Sequence, residues 1–185
     1  AEKIIKKTLS VGATDCDVVL AKGFGKSISC RLQKIEDIEE SSDKTLGIRA
    51  LIGNQQAFVS SSNLEEKELD KSISKVIEMA KLAPEDETAC LGDKNLFENK
   101  FEELNLYQHE ETKTNILIDA VKECEDAALS TKGVSNSEGA GASYSTGEFL
   151  LATSNGFSGG YRSSTNSISC SVLAGEGLLM ERDYD

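Results

Sequence analysis

The spacing of apolar residues changes period twice along this chain, and these changes constrain the fold more than any other feature. Ile28, Cys30 and Leu32 alternate with polar neighbours, in the period of two that is typical of a half-buried strand. Between residues 63 and 83 the period becomes that of an amphipathic helix, and a second helical stretch occupies roughly 112–130. We therefore expect an α+β fold in which helices pack on antiparallel β-sheet.

The first half of the chain is predicted to begin with a short helix and to continue as a series of strands. Residues 3–11 have the pattern of an amphipathic helix, and about five antiparallel strands follow. Glycine-rich and polar sequences between them indicate hairpin turns at 23–25 (Gly-Phe-Gly) and 53–54 (Gly-Asn), with a further break at 41–44 (SSDK).

Two helices are predicted in the middle of the chain. The first has Ser62 or Asn63 as its cap and Pro84 as its stop, and its apolar face is expected to contain Leu69, Ile73, Val76, Ile77 and Ala80. The apolar face of the second is expected to contain Ile116, Leu117, Ala120, Val121, Cys124 and Ala128. Residues 85–110 between them are acidic and irregular, with four expected anchors: Leu96, Phe97, Phe101 and Leu104.

After residue 133 the strand pattern returns, in the segments VSNSEGAGASYS, GEFLLATSNG, SGGYRSSTNSISCSVLAGEG and LLMERDYD. Within 154–164 we expect a turn and strand pair in which Gly156, Gly159 or Gly160 has a positive φ. The repeated order of helix followed by strands predicts an internal duplication with halves 1–84 and 111–185. The last segment resembles a strand that nothing follows, so we expect residues 1–185 to be the N-terminal domain of a longer protein.

Charge and cysteine content exclude some classes of partner. The net charge is −12, from 32 acidic and 20 basic residues, and such a surface repels a phosphate backbone, so direct nucleic-acid binding is not expected. No apolar run is long enough to span a bilayer, and the first residues lack the apolar core of a signal peptide. Five scattered cysteines do not indicate a secreted disulfide framework, so a cytoplasmic location without membrane contact is predicted.

The usual catalytic and ligand-binding motifs are absent from the sequence. His109, in the sequence QHEET, is the only histidine, and a helical zinc site needs a second histidine one turn away. The cysteines form no CxxC pair, and the chain contains no phosphate-binding glycine motif and no G-x-S-x-G motif. We therefore assign no catalytic, cofactor-binding or metal-binding residue.

Four segments together resemble the TldD/PmbA family, which is described both as modulators of DNA gyrase and as metalloproteases. They are GIRALIGNQQAFVSSSNL, NSEG, TSNGFSGGYRSSTNSISCSVLAGEG and MERDYD, in that order and spacing. The similarity is to the N-terminal domain of the family, and to its PmbA branch, also called TldE, more than to its TldD branch. It covers essentially the whole chain.

The resemblance implies a function without placing a site in this chain. In the family the zinc motif, HExxxH with a later cysteine, belongs to TldD and lies beyond the N-terminal domain, so zinc is expected only in a TldD-type partner. None of those ligand positions can be placed on this sequence, and whether the chain is itself part of an enzyme stays open.

The implied role is that of a non-catalytic subunit in a cytoplasmic metalloprotease complex with a TldD-like catalytic subunit. The complex would process or degrade unfolded or small peptides. The alternative is a regulatory binding protein that modulates DNA gyrase. We also expect residues 1–185 to form a homodimer through a sheet edge, because three apolar residues near the end lack cover: Leu178, Leu179 and Met180.

Overall fold

The structure, a computed structural model, describes residues 1–98, 100–177 and 179–185. Within these residues the chain forms three α-helices, six strands and a short 3-10 turn at Lys94–Leu96. In chain order the helices and strands are α1 (Glu2–Ser10), β1 (Asp15–Arg31), β2 (Lys34–Ile52), β3 (Gln55–Ser61), α2 (Glu66–Leu82), α3 (Thr114–Leu129), β4 (Val134–Thr153), β5 (Ser158–Glu176) and β6 (Leu179–Tyr184). The strands form an antiparallel sheet in the order β3-β2-β1-β4-β5-β6, which confirms the predicted α+β fold.

The strands are fewer and longer than the turn residues predicted. β1 continues through 23–25 and β2 continues through 41–44, so the hairpin and the break predicted at these two places are wrong. The turn that joins β1 to β2 is formed instead by Leu32 and Gln33, whose φ angles are +49° and +64°. The turn at 53–54 is confirmed, because β2 and β3 pair in register on either side of it.

The alternation of side chains explains why the glycines at 23 and 25 do not interrupt β1. Lys26, Ile28 and Cys30 lie on the buried side of the strand, and the intervening serines lie on the other. This pattern runs to the end of β1, so the strand ends only where two residues adopt left-handed backbone conformations. In the same way, two predicted strands of the second half form the single strand β4.

The residues divide into two compact units, each built from three separate segments. Unit 1 comprises Ala1–Lys22, Asp43–Leu104 and Glu148–Arg162, and unit 2 comprises Gly23–Ser42, Asn105–Gly147 and Ser163–Asp185. The four long strands, β1, β2, β4 and β5, each contribute residues to both units. The predicted duplication with halves 1–84 and 111–185 follows chain order and stays a prediction.

The core of unit 1 forms where α1 and α2 pack on the sheet. On α2, the predicted apolar face is confirmed, since Leu69 is partly buried and four residues are buried: Ile73, Val76, Ile77 and Ala80. The amide oxygen of Asn63 accepts a hydrogen bond from the N–H of Glu65, the residue before the helix, rather than from its first turn. The helix ends at Leu82, because Pro84 disfavours a helical conformation at the residue before it.

The core of unit 2 forms around α3. Leu117 and Val121 are buried as predicted, but Ile116 is half exposed, and its predicted place in the core is wrong. The buried stripe continues along the helix through Glu125, four residues after Val121, so Ile116 lies to one side of it.

The acidic segment between α2 and α3 is anchored less than the sequence predicts. Phe97 packs on Phe157, with ring centroids 5.0 Å apart, and Phe101 meets the same ring edge-on at 6.5 Å. Leu96 and Leu104 are 84% and 65% exposed, so their predicted role as anchors is wrong. Aromatic contact, rather than burial of leucine, holds this segment within unit 1.

The end of the chain forms the predicted strand. β6 pairs with β5 along its length, from Ser171 opposite Tyr184 to Glu176 opposite Leu179. Leu179 and Met180 are exposed, as expected, and Leu178 lies outside the described residues. Self-association through this strand stays a prediction. No helix of the described ranges is long and apolar enough to cross a bilayer.

Candidate functional site

The two faces of the sheet in unit 2 differ in chemistry. Side chains that point towards α3 are mostly apolar, among them Ile28, Cys30 and Ala142. Residues on the other face of the same strands are small and polar, such as Ser29 and Ser143. Within the described residues of unit 2, α3 is the one α-helix, and it packs on the apolar face.

A groove crosses this open face of unit 2, and we call it the serine groove. Its volume is about 320 Å³, and it is lined by Ser27, Ile28, Ser29, Asp37, Glu39, Gly141, Ala142, Ser143, Ser167 and Ser169. Four neighbouring strands contribute to it, in the order β2, β1, β4, β5. The floor is formed mainly by serine side chains and by Gly141, and the two carboxylates lie on the β2 side.

The serine hydroxyls of the serine groove are not used by the fold. Within the described residues, no side-chain hydrogen bond is made by any of its five serines: Ser27, Ser29, Ser143, Ser167 and Ser169. Other serines of the sheet are paired, for example Ser137 with Glu125 and Ser171 with Glu138. The groove therefore presents hydroxyl groups that can both donate and accept hydrogen bonds to a ligand.

The turn at the end of β1 is held by a carboxylate buried under α3. Glu125 accepts hydrogen bonds from the backbone N–H groups of Leu32 and Gln33 at 2.8 and 2.7 Å, and from the hydroxyl of Ser137 at 2.6 Å. The Cys30 thiol donates a weaker bond at 3.6 Å. These contacts fix β1, β2 and β4 relative to one another, so they position three of the four strands that line the groove.

Burial and hydrogen bonding act in opposite directions on the pKa of Glu125. Burial by itself raises the pKa of the carboxyl, but the hydrogen bonds from Ser137 and from the two turn amides outweigh it, and the pKa lies below its usual range. Sequence reasoning missed this residue. The available signal was a glutamate at the next i+4 position of the apolar stripe through Leu117 and Val121.

A second buried charge ties the segment before α3 to the sheet of unit 2. The Lys26 side chain is 8% exposed, and its ammonium pairs with the carboxylate of Glu111 and, at 3.5 Å, with that of Glu40. It also lies 5.7 Å from the centre of the Phe24 ring. The hydrogen bond with Glu111 is the largest of the effects that raise the pKa of Lys26. These contacts lie on the α3 side of the sheet, opposite the serine groove.

The described residues of this chain do not fit a zinc site. Among the residues that the structure describes, no group of three or more His, Cys, Asp or Glu side chains is arranged to hold a metal. His109 is exposed and meets the Tyr107 ring edge-on at 5.5 Å. Burial raises the pKa of the Cys16 thiol to about 11, which disfavours the thiolate that zinc requires, and burial likewise raises the pKa values of three others: Cys30, Cys124 and Cys170.

We expect residues 1–185 to retain no stoichiometric zinc after dialysis against buffer, because one exposed histidine and dispersed thiols cannot supply a tetrahedral site. Metal analysis by mass spectrometry measures this directly. A result of one zinc ion per chain that disappears in the His109→Ala variant would contradict the expectation.

Two family models match the chain. One, the PmbA/TldA metallopeptidase domain 1, covers residues 16–80, and the other, the PmbA/TldA metallopeptidase central domain, covers residues 107–185. The chain belongs to the PmbA/TldD family. The predicted resemblance to its PmbA/TldE members is confirmed.

Curated relatives of this PmbA/TldD-family chain are named as metalloproteases. It is 32% identical over 170 residues to the metalloprotease PmbA homolog of Haemophilus influenzae, and 30% identical over 178 residues to the metalloprotease PmbA of Escherichia coli O157:H7. These alignments cover 91% and 95% of the chain but 38% and 40% of the relatives. The chain therefore spans about two fifths of the length of these relatives.

Solved structures of the family share the fold. A protein from Bacteroides thetaiotaomicron, described as a candidate modulator of DNA gyrase, superposes with a TM-score of 0.86 at 23% identity, over 100% of this chain and 43% of that one. TldE from Thermococcus kodakarensis superposes with a TM-score of 0.80 at 18% identity, over 100% of this chain and 42% of that one. At these identities the likeness shows the fold alone.

Proposed function

We propose that this chain is a non-catalytic part of a PmbA/TldE-like subunit in a cytoplasmic, TldD-type metalloprotease complex that processes or degrades unfolded or small peptides. The observation that carries the proposal is the serine groove of unit 2. Its floor of small side chains leaves room for an extended segment with varied side chains, and its hydroxyls can bond to the main chain of that segment. Recognition of this kind depends little on sequence, which suits the processing of unfolded peptides.

Hydrolysis is assigned to a partner subunit because of the metal-binding groups that this chain lacks among its described residues. The relatives are named as metalloproteases, yet the described residues gather no set of zinc ligands. Hydrolysis is therefore assigned to a TldD-like partner, which would hold the zinc ion. This chain contributes part of the surface that receives the peptide.

The test uses the full-length protein mixed with the TldD-type subunit of the same organism. We expect the two to co-elute in gel filtration and the mixture to degrade an unfolded protein such as reduced casein. Filling the groove with Ser143→Trp should leave co-elution unchanged and reduce the rate of degradation about tenfold. Ser145→Trp, two residues further along the same face of β4, is the matched control and should retain most of the activity. Failure to co-elute, or an unchanged rate in the Ser143 variant, would reject the proposal.

The second candidate is modulation of DNA gyrase, which is supported by the description of the B. thetaiotaomicron relative and by the acidic surface. A chain with a net charge of −12 can bind electrostatically to the basic surface with which gyrase contacts DNA. This candidate predicts that the full-length protein changes the supercoiling rate of purified gyrase in a dose-dependent and salt-sensitive way. No effect at a large molar excess would exclude it.

A further inference from the structure

We infer that the serine groove selects extended peptide segments that place a lysine or arginine side chain beside Asp37 and Glu39. This inference deepens the proposed function and rests on it. It concerns which peptides the groove receives, and it follows from the charge on one side of the groove and the unused hydroxyls on its floor.

Two carboxylates on one side of the groove have no cationic partner among the described residues. Asp37 and Glu39 are two residues apart on β2, so their side chains lie on the same face of the sheet, and both are exposed. No lysine or arginine of the described residues forms a salt bridge with either of them. Asp37 accepts only a local hydrogen bond, from the N–H of Ile38 at 2.9 Å. Two negative charges on one side of the groove thus lack a cationic partner.

Two cations of the neighbouring strand β1 are committed elsewhere. Lys26 pairs with Glu111 and Glu40 on the opposite face of the sheet, and Arg31 donates to the backbone carbonyl of Ser137 at 3.2 Å. Neither can neutralise the groove without giving up these contacts. A ligand that brings its own positive charge is therefore complementary to the groove, and a ligand with a negative charge is repelled.

The carboxylates suit a lysine or arginine side chain better than a metal ion. A metal ion would need further ligands, and the described residues form no group of three or more His, Cys, Asp or Glu side chains that could hold one. A lysine or arginine side chain needs no such set, because its long stem can lie over small residues while its head group reaches a carboxylate. Ser27 and Ser29 on β1 adjoin β2 and leave that space open.

The serine floor can receive the rest of the peptide. From the β2 side the groove continues across β1, β4 and β5, where the side chains on this face are serines and Gly141 has no side chain. The hydroxyls of Ser143, Ser167 and Ser169 can bond to the main-chain N–H and C=O groups of an extended segment. The cationic side chain thus determines which segment binds, and the serine floor accepts the neighbouring residues with little preference.

The test measures binding of two fluorescein-labelled peptides to the full-length protein without its metalloprotease partner. The peptides are identical repeats of Gly and Ser with lysine at two positions in one and glutamate at the same positions in the other. At low ionic strength we expect the fluorescence anisotropy to show that the lysine peptide binds at least about tenfold more tightly, with a difference that shrinks as salt is added.

Two single substitutions on β2 locate the effect. Glu39→Gln should weaken binding of the lysine peptide about threefold, which is the range expected for one exposed ion pair. Glu36→Gln removes the same charge from an exposed position on the opposite face of the strand and should leave binding unchanged. Equal affinity for the two peptides, no binding of either, or an equal effect of the two substitutions would overturn the inference.

The proposed function is read out separately, so the two ideas can fail independently. Co-elution with the TldD-type subunit and degradation of a peptide without lysine or arginine do not depend on Asp37 or Glu39. If both persist in the Glu39→Gln variant while no preference for lysine is found in the wild type, the charge selection is wrong and the proposed function stands. If co-elution fails, the proposed function is wrong whatever the peptides show.

Discussion

The Glu125→Leu variant is expected to have a free energy of unfolding about 3 kcal/mol or more below that of the wild type, because it removes a buried hydrogen-bond acceptor. Leucine fills a similar volume but accepts no hydrogen bond. The N–H groups of Leu32 and Gln33 and the hydroxyl of Ser137 would lose their acceptor in a site that excludes water. Denaturant unfolding followed by circular dichroism measures the effect.

Two further variants on α3 separate the hydrogen bonds from the charge. Glu125→Gln keeps the shape and one acceptor oxygen but places an amide NH2 among N–H donors, so a smaller loss of about 1–2 kcal/mol is expected. Glu123→Gln removes a charge from an exposed position of the same helix and should change the stability by less than about 0.5 kcal/mol. If Glu125→Leu were as stable as Glu123→Gln, the carboxylate would not be the group that holds the β1–β2 turn.

The same carboxylate gives the stability a dependence on pH. Because the pKa of Glu125 is lower in the folded protein than in the unfolded chain, the unfolded chain takes up the proton first as the pH falls. The stabilising contribution is therefore complete above the ordinary glutamate pKa of about 4.3, and it is lost as the pH falls through the lower, folded value. Between pH 7 and pH 3 the wild type should lose more stability than Glu125→Gln does.

Helices were predictable from the sequence because their signal is local. The face of α2 that contains Ile73, Val76 and Ile77 is set by spacing within a single helix, and Pro84 ends that helix through its effect on the residue before it.

Strand bounds were less predictable. Gly23 and Gly25 are typical of a turn, yet the chain can also use glycine in an extended strand, and only pairing with neighbouring strands decides between these outcomes.

The serine groove, and the hydrogen-bond partners of the buried carboxylate, could not be located from local pattern. Ser29, Ser143 and Ser169 come from strands that are far apart in the chain, and they lie together only because the sheet order places β1, β4 and β5 side by side. Glu125 looks like one more exposed acid of an amphipathic helix until the turn at Leu32 is seen to need an acceptor. In both cases the deciding information is the register between distant segments, which a single sequence does not state.

Gly160→Ala is expected to lower the free energy of unfolding by about 2–4 kcal/mol, because the added methyl group has no space. A Cβ atom at Gly160 would lie 2.2 Å from the carbonyl oxygen of Phe149 and 3.0 Å from the Cα atom of Leu150. Both are backbone atoms of the neighbouring strand β4, so neither can move aside as a side-chain tip would. The two strands would have to separate locally, at a cost to their hydrogen bonds.

Two other glycines distinguish this clash from a general effect of alanine. Gly156 has a φ of +104°, which confirms the turn predicted within 154–164. No atom lies within 4 Å of a Cβ added at Gly156. Gly156→Ala should therefore lower the free energy of unfolding by about 1–2 kcal/mol through backbone strain alone. Gly147 has no positive φ, and its Cβ would meet only the Ser163 hydroxyl, at 3.6 Å, so Gly147→Ala should be within about 0.5 kcal/mol of the wild type. Urea unfolding of the three variants should rank them with Gly160→Ala least stable, Gly156→Ala intermediate and Gly147→Ala closest to the wild type. A Gly160→Ala variant as stable as Gly147→Ala would mean that β4 and β5 do not approach each other closely at this position, and the register that brings the strands together there would have to be revised.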